Sequence, residues 1–179
     1  MTQRCGSVPF NRVYGMSARI LVAAWLGCAS AAVHAQDATF ATKSLTPETA
    51  LKAAQAALES CRNSGYQVGV AVTDRAGVPQ VVLRDRFGGP HTVRVAIDKA
   101  WTAASFRIPT AQLATETQAG RPMSGLRSVP RVAAFGGGLP IEAAGSTLGG
   151  IGVSGAPGGE ADEACARAGL KAIADSLEF

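Results

Sequence analysis

Ten of the chain's 21 glycines fall between residues 136 and 159. They lie in and beside a run, Thr147 to Ser154, that reads as a strand. Glycine inside a strand adds no side-chain packing and weakens the strand, so such density implies that a backbone or a ligand comes close. Gly150-Ile151-Gly152-Val153-Ser154-Gly155 also fits the G-x-G-x-x-G pattern of dinucleotide-binding loops. Context argues against that reading. The glycines fall within the strand instead of after it, and the helix that follows leads to no second strand and no ribose-binding acid. A helix packed tightly on the strand is the better account.

The stretch from Arg84 to Phe106 organises the rest. It reads as a strand end, a Gly88-Gly89-Pro90 turn, His91, and an amphipathic helix. Val93, Ala96, Ile97, Ala100, Trp101 and Ala104 follow the i, i+3, i+4, i+7 spacing of one face. Arg94, Asp98, Lys99, Thr102 and Ser105 take the other side, with Arg94 and Asp98 spaced to pair.

Upstream, Thr46 is placed to cap a helix with Pro47 at its first position and a stripe of Ala50, Leu51, Ala54, Ala57, Leu58 and Cys61, ended by Gly65. Val68, Val70 and Val72 alternate as a half-buried strand, and Asp74 to Gly77 turns into a second strand, Val78 to Arg84. Pro79 limits that strand to an edge, or itself to the strand's start. Downstream, Pro109 ends the central helix and Thr110 caps a shorter one that runs to about Thr117. Residues 119–131 read as an irregular loop, Val132 to Phe135 as a short strand, and Leu139 to Glu142 as extended chain. Glu160 opens a last helix with Ala161, Ala164, Cys165, Ala168, Ala172 and Ile173 facing inward. This order implies an α+β domain, one antiparallel sheet with helices packed against it, over residues 45–179 after an untethered start at 36–44.

Residues 1–35 read as a signal peptide. Arg4, Arg12 and Arg19 precede an apolar segment, Ile20 to Ala32, and Val33-His34-Ala35 fits the small-x-small cleavage rule. The apolar run is short for a membrane span, so the expected location is periplasmic or secreted. Cleavage would leave 14 basic residues against 13 acidic ones, a net +1, because three of the 17 basic residues and none of the acidic ones lie in the leader. The high isoelectric point is then no sign of nucleic-acid binding. Cys61 and Cys165 remain, each on a helical stripe. They read equally as a disulfide formed in an oxidising compartment or as two small buried thiols.

His91 is then the one histidine left. The positive potential of a helix N-terminus favours a neutral imidazole, the form that ligates iron. The same helix end, with Arg84, Arg86 and Arg94 near it, suits a carboxylate or a haem propionate. Phe87 and the neighbouring glycines suit a flat apolar ring, and Tyr66, Thr110 and Met123 are further ligand candidates. The bland alternative is a turn histidine in contact with solvent. A Ser/His/Asp site using Asp85 or Asp74 lacks the nucleophile elbow, and the ligand spacing of a zinc site is missing.

The runs VTDRAGVPQVVLRDRFGGPHT, KAWTAASFRIPT, FGGGLPI and GGIGVSGAPGGEADEACARAGL, taken in order, resemble the GlcG/HbpS-like family across residues 45–177. The resemblance implies a three-layer, profilin-like α+β domain with about five antiparallel strands, often assembled as a homo-oligomer. It implies haem as the cofactor, with haem capture, sensing or slow haem and iron handling as the role. Other members sit with glycolate-utilisation genes, so a small organic acid bound in the same pocket, as ligand or as substrate, is the alternative. Where many members carry Asp-Gly-Ala-Pro, this chain has Phe87-Gly88-Gly89-Pro90-His91, a departure that supplies a histidine and weakens analogy to any one member; His91, by its place at the helix end, is the expected axial ligand.

Overall fold

The computed structural model describes residues 38–177. The signal-peptide reading falls on residues 1–35, outside that range. The folded unit begins at residue 41. Its elements are α1 (Pro47–Asn63), β1 (Gly69–Asp74), β2 (Pro79–Arg84), α2 (Pro90–Phe106), α3 (Thr110–Glu116), β3 (Gly138–Ala143), β4 (Ser146–Ser154) and α4 (Gly159–Ile173). No helix among the described residues is long and apolar enough to cross a membrane.

All pairings are antiparallel, in the order β2-β1-β4-β3. Among the described residues four strands form, close to the five or so expected; Val132 to Phe135 is not a strand. Instead that segment crosses α2, and the Ala133 N–H donates to Thr102 Oγ1 at 2.9 Å. Pro79 begins β2, which is also an edge strand, so the ladder bond it cannot donate is not needed.

The sheet is the middle of three layers. On one face α1 and α4 pack over Val70, Val72, Leu139, Ile141, Ile151 and Val153. On the other face α2 lies on Ala71 through Ala96 and Ala100. Here the glycines of β4 show their use. A Cβ on Gly150 would run into the Ala100 carbonyl of α2, and one on Gly152 into the Ala96 carbonyl. The helix rests on bare strand backbone, as the glycine density implied. With both faces covered, β1 is buried along nearly its whole length, not on alternate residues.

A disulfide between Cys61 and Cys165 ties α1 to α4 across a sequence separation of 104. This resolves the two readings of those cysteines. The buried face of α4 is Asp162, Cys165, Ala166, Gly169 and Ile173, rotated from the expected stripe. Gly169 sets that rotation. It sits against Ala57 and the Ala53 carbonyl of α1, too close for any Cβ.

Candidate functional site

His91 is the second residue of α2, inside its first turn and not ahead of it. Gly89 is the N-cap and offers no side chain; Pro90 has no N–H and the Thr92 N–H is taken by the Gly89 carbonyl at 3.0 Å, so of these residues only His91 keeps a backbone N–H for a ligand. The exposed imidazole borders a cleft of about 320 Å³, walled by Val95, Phe135, Ser154, Gly155 and Gly158, with Lys99 and Asp162 at its base. Beyond Phe135 and Gly159 lies a second cleft of about 450 Å³, bounded by Ala111, Ala114 and the outer face of α4 up to Arg167.

Lys99 and Asp162 were not expected here. Polarity put Lys99 on the solvent side of α2, yet Lys99 is 1% exposed and Asp162 4%. The Lys99 ammonium donates to Asp162 Oδ2 at 2.7 Å and to the Val153 carbonyl at 2.9 Å. It also stands 4.7 Å from the centroid of the Phe135 ring. The other carboxylate oxygen, Asp162 Oδ1, accepts the Ala156 N–H at 3.0 Å. Burial lowers the Lys99 pKa from its ordinary value, and the Asp162 carboxylate opposes that shift. Gly137, at φ +113°, leaves the room. A Cβ there would come within 2.7 Å of both the Lys99 ammonium and Asp162. Thr102 is likewise buried, under the crossing segment. Of the side of α2 predicted to face solvent, Lys99 and Thr102 are thus covered by residues 131–137 and the start of α4, while Arg94 and Ser105 stay exposed.

The remaining predicted site residues are dispersed. Arg94 pairs with Asp98 at 2.7 Å on the exposed side of α2, as its spacing indicated. Arg84 donates to the Gly88 carbonyl at 3.1 Å and braces the turn. Arg86 is exposed and Phe87 82% exposed, and neither lines the His91 cleft. Thr110 is fully buried and does not cap α3, whose N-cap is Pro109. Its hydroxyl instead accepts the Gly138 N–H at 2.8 Å. Met123 caps a short 3₁₀ turn in the 119–131 loop, and Tyr66 packs against the main core. Asp85 is held by Arg62 through two bonds of 2.7 and 2.8 Å and by the Arg86 N–H. The bonds from Arg62 keep its carboxyl below the ordinary 3.8, against the opposing effect of burial. It is a structural anchor, not a partner for His91.

A three-layer α+β domain with a glycine-lined cleft at the start of its central helix is thus the frame of this protein. The sequence matches the model of the haem-degrading HbpS-like proteins over residues 45–171, and the chain belongs to that family. Among solved structures, a double mutant of Streptomyces reticuli HbpS is 40% identical, with a TM-score of 0.73 over 81% of this chain and 98% of that one. The PduOC:heme complex is 30% identical, with a TM-score of 0.69 over 73% and 95% of the two chains. An uncharacterized 15.0 kDa protein from the dhaT-dhaS intergenic region of Citrobacter freundii is 30% identical over 113 residues, 62% of this chain and 80% of its own.

Proposed function

We propose that this protein binds haem at the cleft beside His91, with the imidazole as axial ligand, and serves in haem capture outside the cytoplasm. The observation that carries this is the placement of the exposed His91 at the rim of a glycine-lined cleft with Val95 and Phe135 in its wall. The residues present fit such a group. Val95 and Phe135 offer apolar wall, while Gly155 and Gly158 add no side-chain bulk. One imidazole at the edge can reach a metal without entering the cleft. Haem, when bound, supplies a redox-active iron. The chain supplies one nitrogen ligand, an apolar wall and the His91 N–H at the helix end. Membership of a haem-degrading family and likeness to a relative solved with heme support the same reading.

The acid-binding alternative gains less support. The buried ammonium at the base of the cleft already has Asp162, the Val153 carbonyl and the Phe135 ring as partners, so a ligand carboxylate meets no free cation there. Export is supported by the Cys61–Cys165 disulfide, since such bonds persist chiefly in oxidising compartments. A cleft open along one side also suits closure by a second copy of the chain, which supports a homo-oligomer.

The test is a haemin titration followed by absorbance. Wild-type protein is expected to bind saturably with a Soret band, and His91→Ala to shift that band and weaken binding. A mutant titration that overlays the wild type removes His91 as ligand. Absence of saturable binding by the wild type removes the haem reading altogether.

A further inference from the structure

We propose that Phe135 is the stacking platform of the site: it recognises the flat π-face of a porphyrin independently of the metal, and the buried Lys99 ammonium tunes it for that task. This rests on the haem reading above and adds a second determinant of ligand choice. Phe135, with Gly159, borders both clefts, and it is 49% exposed although it belongs to a segment pressed onto the protein. An aromatic ring left half open between two cavities has surface to offer a ligand.

Its mounting is stiff. Arg131, just upstream, is held at φ 74°. Its guanidinium lies 4.8 Å from the Trp101 ring centroid and 3.3 Å from Asp98. Ala133 is bonded to Thr102, and a Cβ on Gly136 would lie 2.9 Å from the Gly159 carbonyl, so that backbone is pressed against the start of α4. The ring is therefore placed by contacts on both sides of it in the chain.

The electrostatics favour stacking. Two aromatic faces normally repel when laid flat on each other, because each carries negative charge above the ring. Here the Lys99 ammonium, itself 1% exposed, lies on one side of the ring at 4.7 Å from its centroid. A cation under one face draws electron density toward itself and reduces the negative charge on the other. The face of Phe135 turned away from Lys99 becomes a better surface for an electron-rich macrocycle than an isolated phenyl ring. Lys99 is a positioning residue in this scheme and does not touch the ligand.

Metal-free protoporphyrin IX separates this role from iron ligation. Its binding, followed by porphyrin fluorescence, involves no metal ligand and so reads the ring at residue 135. Phe135→Leu keeps apolar bulk but has no π-face, and is expected to bind about tenfold more weakly. Phe135→Trp is expected to match or exceed the wild type. With haemin, Phe135→Leu should weaken binding while leaving the Soret position unchanged, which a general loss of structure would not do. Equal porphyrin affinity of Phe135→Leu and wild type overturns the platform while the haem reading stands. A wild type that binds neither porphyrin nor haemin overturns both.

Discussion

The disulfide between α1 and α4 gives the most quantitative prediction. Cys61 and Cys165 close a loop of 104 residues, most of the folded unit. Loop-closure entropy for that length restricts the unfolded chain by an equivalent of about 4.7 kcal/mol at 25 °C. Domains of this size have total stabilities of about 5–15 kcal/mol, so the link supplies a large share. With Tm moving by roughly 3–4 °C per kcal/mol at this chain length, its loss should lower Tm by about 15 °C. The perturbation is Cys61→Ala with Cys165→Ala. The measurement is thermal unfolding by circular dichroism, beside a urea titration in which the midpoint should fall. Both cysteines are buried, so reductant added to the folded wild type should act slowly, and only through opening of the α1–α4 contact. A double variant that melts within about 3 °C of wild type would refute the reasoning, because loop-closure entropy over that span requires a shift several times larger.

Two further outcomes follow from the buried charges. Lys99→Met strands the Asp162 carboxylate and should lower stability by about 3–5 kcal/mol, and adding Asp162→Asn should recover much of that loss; additive single effects in denaturant titrations would show that the two groups act independently. Asp85, its carboxyl held low by Arg62, contributes stability that is fully present above the unfolded value near 3.8 and disappears as pH falls through the lower folded value. The stability gap between wild type and Asp85→Asn should therefore be flat near neutrality and close below about pH 4, and a gap that widens on acidification would contradict the assignment.

The layered α+β architecture was legible because each element carried its own punctuation: Thr46 and Pro47 ahead of α1, Asp74 to Gly77 between β1 and β2, glycines along β4. Of the residues the sequence offered as ligand-binding, only His91 lines the cleft described above. Lys99 was misplaced because polarity assigns a lysine to water, whereas its ammonium is satisfied by Asp162, which lies 63 residues away. The face of α4 was misjudged for a related reason. A small residue such as Gly169 buries itself for closeness, which hydrophobic periodicity does not register. Val132 to Phe135 has the apolar content of a strand, but its Ala133 N–H goes to a threonine side chain on α2 instead of a neighbouring strand. The cysteine pairing depended on the distance between two helices, a quantity that stripe patterns do not encode.

The bare backbone beneath α2 constrains how this site could diverge. Most helices ride on a cushion of side chains whose sizes set their height above a sheet, and that height drifts as those residues change. Between α2 and β4 the stand-off is already at its minimum at Gly150 and Gly152, with nothing left to trim. The imidazole at one end of the helix and the ammonium two turns later thus share one fixed datum. Variation in what the cleft accepts is left to the covering chain at 131–137, where a residue can be exchanged without lifting the helix that carries them both.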